Sequence, residues 1–158
     1  MEDMFATLIP MTITTQVPCK KLNDKAILPT SGSEYAAGSD LYACLDKSRY
    51  IPAGHTVKIP TGIAMELPVG YGGFIFARSG LATKDGLRPA NCVGVVDSDY
   101  RGEVMVAIHN DSFEDRTIDP GQRIAQIVVM PYVDCCFTEV DSLSDTKRGD
   151  GGFGSSGK

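Results

Sequence analysis

The sequence predicts an all-β sandwich or barrel, and three observations carry that prediction. The first is the density of breakers: 17 Gly and 9 Pro among 158 residues leave little room for long helices. The second is alternation of apolar and polar residues, which recurs along the chain where the i, i+3, i+4, i+7 helical pattern does not. The third is punctuation. The alternating runs are separated by "IPAG", "LPVGYG", "DYRG" and "DPGQ", all of them turn chemistry. Short strands spaced by roughly ten residues with such turns between them are the pattern of sandwiches and barrels.

Taken in order, "CKKLNDKAIL" (19–28) is a weak helical candidate. In "AGSDLYA" (37–43) Asp40 follows a Gly-Ser turn and precedes a short apolar run, a place that suits an Asx-turn as well as a functional carboxylate. "HTVKIPTGIAMEL" (55–67) puts Val57, Ile59, Ile63, Met65 and Leu67 on odd positions, the mark of strand with one buried face. "GGFIFAR" (72–78) is a further strand, and "ARSGLATKDG" (77–86) ends it in Arg-Ser-Gly. A plain turn fits there. So does an anion site, since Gly admits close backbone approach, Ser donates, and Arg offers a charged fork.

"GVVDSDYRGEV" (94–104) sets Asp97 and Asp99 in a Gly-bounded turn. Its D-x-D-x-x-G start resembles a calcium loop, but Arg101 stands at the fifth position and Ile108 at the twelfth, where that loop needs a ligand and a Glu. Two readings remain: a hairpin turn, or a carboxylate at a strand end that orients a water, with the flat face of Tyr100 beside it. "EVMVAIHN" (103–110) alternates Val104, Val106 and Ile108 with Met105 and Ala107. "GQRIAQ" (121–126) opens the strand "RIAQIVVMPYV", and Arg123 and Gln126 fit its ordinary surface. From Asp145 the composition turns polar and Gly-rich. The expected organisation is one β domain over 1–144 and a flexible arm over 145–158.

Composition limits the function. An apolar fraction of 42% and a charged fraction of 22% are those of a globular domain. A net charge of -5 argues against a general nucleic-acid or anionic-membrane binder, yet leaves room for a small anionic substrate held by a few Arg or Lys. No apolar run approaches a membrane span, and "MEDMFATLIPM" opens with acids where a signal peptide carries basic residues, so the cytoplasm is the expected location. Five cysteines, without C-x-x-C and with Cys135 next to Cys136, suit reduced thiols better than disulfides or zinc. His55 and His109 lack ligand-spaced partners. The last seven residues, "GFGSSGK", satisfy G-x-x-x-x-G-K, but the sequence supplies neither the following Ser or Thr nor a helix, so a phosphate loop of that type is not expected.

The order of these pieces says more than any one of them. "AGSDLYA", "RSGLATK", "NCVGVVDSDYRGEV", "GQRIAQ" and "RGDGGFGSSG" resemble, in order, the five motifs of the trimeric dUTP diphosphatase (dUTPase) family, from about residue 20 onward. Ala77 departs from the Pro that many members carry before Arg-Ser-Gly, which touches the approach to the turn and not its donors.

The resemblance implies a distorted jelly-roll-like subunit, a homotrimer with intersubunit active sites, and Mg²⁺-assisted hydrolysis of dUTP to dUMP and pyrophosphate. That reaction limits uracil in DNA and feeds thymidylate synthesis. It implies that Asp97 activates the water and that Tyr100 packs on the deoxyribose. It gives Asn91, Gly94, Val95 and Val96 to a hairpin that reads uracil, with Met105 a contact further on. Arg78, Ser79 and Gly80 would bind phosphates, Gln126 would donate near the α-phosphate, and Asp40 would face the metal through water. Arg148 would reach the phosphates as a catalytic arginine, while Phe153, with Gly154 beside it, would cover the base, all on a mobile lid. The alternatives are a dCTP deaminase of the same superfamily and a binding or regulatory protein that keeps the fold.

Overall fold

The computed structural model describes residues 15–152. Among them are twelve strands and one short helix: β1 (Cys19–Lys21), β2 (Thr30–Ser31), β3 (Ser39–Tyr42), β4 (Arg49–Ile51), β5 (Thr56–Pro60), β6 (Ile63–Met65), β7 (Tyr71–Phe76), α1 (Ser79–Asp85), β8 (Leu87–Pro89), β9 (Gly94–Val96), β10 (Met105–Asn110), β11 (Arg116–Ile118) and β12 (Arg123–Pro131). The main sheet has the order β2-β3-β12-β7-β9, and a second runs β5-β10-β8. Two-stranded pairs β1-β6 and β11-β4 complete the set, and every pairing is antiparallel. The all-β prediction holds.

The core lies where alternation places it. Ile59, Ile63, Met65 and Leu67 are buried, and so are Val104, Val106 and Ile108, while Met105 between them is exposed. The run 55–67 is nevertheless two strands. Gly62 breaks it at φ 68°, where a Cβ would stand 2.8 Å from both Ala26 Cβ and Cys44 Sγ. The break preserves parity, so the odd residues on both sides face inward. Buried polar groups are satisfied: Asn110 Nδ2 donates to the carbonyls of Ile51 and Glu114, and its Oδ1 accepts from Ser112 N and Oγ.

Two local expectations change. Residues 19–28 form β1 and an Asx-turn, with Lys25 N donating to Asn23 Oδ1 at 2.9 Å, and not a helix. The helix sits instead at Ser79–Asp85, directly after Arg78, in a stretch whose sequence suits a turn or an anion site. Buried Leu81 anchors it, and Gly86, at φ 68° and ψ 20°, ends it by donating its N–H to Leu81 O. One buried residue and a left-handed cap suffice for a helix too short to show a period. Regular structure ends at Pro131. From there to residue 152 the described chain has no helix or strand and is almost entirely exposed. No helix among the described residues is long and apolar enough to cross a membrane.

Candidate functional site

Seven of the residues singled out from sequence meet around one cavity of about 360 Å³: Asn91, Gly94, Val95, Val96, Asp97, Tyr100 and Met105. It lies under an arch formed by β9, the turn after it and the start of β10. The sequence suggested a hairpin here, but β9 is hydrogen-bonded to β7, and β10 to β5 and β8, so the two arms belong to different sheets. β9 is an edge strand. Its outward backbone N–H and C=O groups have no sheet partner among the described residues, and Gly94, Val95 and Val96 line the cavity.

Several contacts hold the arch in shape. Tyr100 N donates to Asp97 O at 3.2 Å, closing the turn, and Tyr100 Oη donates to Glu103 O at 3.0 Å. Arg101 Nη1 donates to the carbonyls of Ser98 and Tyr100, while its Nη2 pairs with Glu66 at 3.2 Å. Glu103 Oε1 accepts the Gly62 N–H at 2.7 Å, and the buried Thr61 hydroxyl donates to Val104 O at 2.6 Å. A side chain at Gly102 would run into the Tyr100 ring, and one at Gly94 would press on Ile75 and come 3.5 Å from Asn91 Nδ2. The Asp97 carboxylate is exposed and accepts no hydrogen bond among the described residues, so it is free to take one from water.

Five other residues singled out from sequence meet around a separate cavity of about 560 Å³: Asp40, Arg78, Ser79, Gly80 and Gln126. Asp40 is its keystone. Buried, it accepts from Arg78 Nε at 2.7 Å through one oxygen and from Arg123 Nη1 at 3.1 Å through the other. A β-bulge in β12 makes this possible. Gln126 is opposite Asp40, Ala125 opposite Leu41, and Arg123, not Ile124, opposite Tyr42. Strict alternation would turn Arg123 to the other face. The extra residue turns it toward Asp40 and keeps Ile124 fully buried.

Ser79 and Gly80 open α1, where the first-turn N–H groups lack intrahelical partners. A Cβ at Gly80 would meet nothing within 4 Å, so the space beside it is open to a ligand. Gln126 Nε2 donates to Ala77 O at 2.9 Å, which fixes the amide at the cradle wall. The two cavities share no lining residue.

Arg148 joins neither cavity. Its Nε donates to Gly151 O at 2.8 Å in a local turn, with Gly149 at φ 55°. Phe153 and Gly154 lie outside the described residues. Sequence reasoning gave no part to Lys58 and Glu103, which line the arch cavity, and left Arg123 as strand surface. Register could have found Lys58, since it is opposite Ala107 and on the same face as Met105. Among the described residues no three His, Cys, Asp or Glu side chains cluster as a metal site. With both Asp40 oxygens engaged by guanidinium groups, the donor set fits a cation that brings its own phosphate ligands and reaches the protein through water.

Cys19 and Cys44 are partly buried, whereas Cys92, Cys135 and Cys136 are exposed. All five thiols are free, and burial pushes those of Cys19 and Cys44 up. His109 Nδ1 meets Thr56 Oγ1 at 2.8 Å, and His55 Nδ1 meets Ala53 O at 2.9 Å.

Known proteins share this fold and much of this sequence. A family model described as dUTPase matches residues 24–157. The deoxyuridine 5'-triphosphate nucleotidohydrolase of Desulfitobacterium hafniense is 53% identical over 131 residues, covering 82% of this chain and 87% of that protein. Its counterpart in Syntrophotalea carbinolica is 45% identical over 146 residues, 92% of this chain and 98% of that one. Among solved structures, Staphylococcus bacteriophage 80alpha dUTPase with dUPNHPP superposes with a TM-score of 0.83 at 26% identity, over 92% of this chain and 100% of that chain. The fold is thus the jelly-roll-like one those enzymes share, and with a match that runs through all five motifs this chain belongs to the dUTPase family.

Proposed function

We propose that the two cavities are halves of one nucleotide site, the arch for deoxyuridine and the cradle for the triphosphate. As a dUTPase the chain hydrolyses dUTP to dUMP and pyrophosphate, which limits uracil incorporation into DNA and supplies dUMP for thymidylate synthesis. The observation that carries the two-half reading is the separation of roles. An unpaired carboxylate, Asp97, sits on the arch, while the paired arginines sit in a cavity that shares no lining residue with it.

Uracil enters beside Asn91, Gly94, Val95 and Val96, with Met105 on the opposite arm. Exchange of uracil for cytosine inverts the donor–acceptor pattern and leaves buried groups unpaired, at about 1–3 kcal/mol each. The Tyr100 ring, held through Glu103 O, stacks on the sugar and fills the place of a 2′-hydroxyl. Asp97 accepts a proton from a water as its oxygen bonds to the α-phosphorus. The bond from that phosphorus to the bridging oxygen breaks, and pyrophosphate carries away the electron pair. Arg78, Ser79, Gly80 and Gln126 bind and orient the phosphates. Mg²⁺, when bound, neutralises phosphate charge and holds the triphosphate in one conformation. Asp40 would face it through water while holding the two arginines.

The absence of a shared lining residue between arch and cradle supports a site completed between subunits of a homotrimer. The segment 145–158 serves as the lid over a neighbour's site, bringing Arg148 to the phosphates and Phe153 and Gly154 over the base. The cytoplasm is the location proposed for it, in keeping with five cysteines that form no disulfide. Neither nucleic acid nor membrane is needed as a partner.

Pyrophosphate release measured with Mg²⁺ across dUTP, dTTP, dCTP and UTP tests the reaction, and the expected result is release from dUTP alone. Ammonia release from dCTP would favour the deaminase. Subunit mixing tests the assembly. Asp97→Asn and Arg78→Ala trimers, each inactive, should regain activity when mixed through refolding, because some sites then carry both intact halves. No recovery would place each site within one chain. Deletion of 148–158 should leave a trimer that binds dUTP and turns it over poorly, and full activity would exclude the lid.

A further inference from the structure

A second basin lies behind the arginine pair. It measures about 510 Å³ and opens between α1 and the start of β12. Arg78, Gly80 and Arg123 line both this basin and the phosphate cradle, so together they form the wall between the two. Lys84, in the last turn of α1, lines the basin only, and Asp85 is the one acid among its lining residues. Lys84 is exposed and has no ion-pair partner among the described residues.

The three cavities differ in the balance of their charges. The arch sets Lys58 against Asp97 and Glu103, the cradle sets Arg78 and Arg123 against Asp40, and the basin sets Arg78, Lys84 and Arg123 against Asp85. The arch lining is thus net negative, whereas cradle and basin share the two arginines that Asp40 pairs, and the basin adds Lys84 and Asp85 to them. The wall keeps donors to spare. Arg78 uses Nε on Asp40 and turns Nη1 toward Arg123 O at 3.5 Å, and Arg123 uses Nη1 on Asp40, so Nη2 of both arginines is left without an acceptor among the described residues.

We propose that this basin is a product subsite for inorganic diphosphate. The proposal rests on the reading of the cradle as the phosphate half of the site. Once the α-phosphorus bond breaks, the leaving group is a small polyanion with no nucleoside to anchor it. The basin adjoins the cradle through these arginines and adds a lysine without an ion-pair partner among the described residues, so the two arginines touch the anion from either side as it passes. Lys84 then separates product from substrate, since it meets free diphosphate and not intact dUTP.

The test pairs calorimetric binding of magnesium pyrophosphate with its inhibition of initial rates, in wild type, Lys84→Gln and Lys84→Arg. Loss of one such cation is expected to raise both pyrophosphate constants of Lys84→Gln about fivefold. The KM for dUTP is expected to rise less than half as much, and Lys84→Arg is expected to behave as wild type. Unchanged pyrophosphate binding in Lys84→Gln would overturn the basin. So would a parallel rise in KM, which would put Lys84 in the substrate cradle. Absence of pyrophosphate release from dUTP by wild type would instead sink the reading of the site, and the calorimetric arm separates that failure from failure of the basin.

Discussion

The arch and the cradle solve opposite problems with opposite materials. The arch combines strand backbone, Gly94 and apolar side chains with a few polar groups, and it leaves the Asp97 carboxylate unpaired. The cradle is made of charged side chains that bind one another before any ligand arrives. Reading an uncharged base requires fixed donors and acceptors, which strand backbone supplies because the sheet has already ordered it. Holding a polyanion requires positive charge, and bare arginines at a partly buried site would repel one another and wander. Asp40 removes both difficulties, and the remaining guanidinium N–H groups stay available. On the proposed reading of the cradle, a chain of net negative charge binds a triphosphate with two arginines because one buried acid fixes them.

Four substitutions can break or sharpen this contrast. The largest effect belongs to Asp97, the arch's free carboxylate. Asp97→Asn should bind dUTP nearly as wild type and lose about 10²–10⁴ in kcat, measured by pyrophosphate release. Unchanged turnover would remove it from the mechanism. Asp40→Ala is the matched experiment on the cradle. It frees two guanidinium groups and is expected to raise KM for dUTP by about tenfold or more and to lower unfolding stability by about 1–3 kcal/mol. A loss of kcat with KM unchanged would show that the keystone acts on the chemistry and not on binding.

Gly102→Ala tests shape within the arch. Its methyl displaces Tyr100, so discrimination of dUTP against UTP should fall by about tenfold, read as the ratio of kcat/KM values. Retained discrimination would show that the ring is not what excludes the 2′-hydroxyl. The smallest effect is a control at a residue that lines neither cavity. The Tyr50 hydroxyl first, and then the Ala53 N–H, hold the Asp115 carboxyl below its ordinary range. A depressed folded value stabilises above the unfolded pKa of about 3.9, and that stability is lost as pH falls through the folded value. Asp115→Asn should therefore flatten the acid limb of a thermal-midpoint profile below about pH 4 while leaving dUTP turnover alone. An identical acid limb would remove Asp115 from the pH dependence of folding.

How much of this was legible in the sequence differs between the two halves. The arch was legible because it is local. Residues 91–105 are nearly contiguous, and glycine, aspartate and tyrosine at fixed offsets point to a tight, polar turn. Its one misreading, the hairpin, came from the same locality: two adjacent strands look like partners until each is seen bonded to a different sheet. The cradle was legible only as fragments. Asp40, Arg78 and Arg123 stand far apart in sequence and each suits an ordinary turn or strand surface, so only the order of the motifs connected them. The helix at 79–85 escaped for another reason, because seven residues with one buried side chain carry no periodicity to detect.

The sequence by itself determined the class of fold, the buried faces of the strands and the chemical inventory of the site, because alternation, breakers and side-chain chemistry act over a few residues at a time. Tertiary structure decided which of those side chains meet. A one-residue bulge between Arg123 and Ala125 turns an arginine from the wrong face of a strand to the acid it pairs with. Nothing in "GQRIAQ" announces that extra residue. A bulge is a mismatch in length between two paired strands, and it exists only once β12 has been laid against β3.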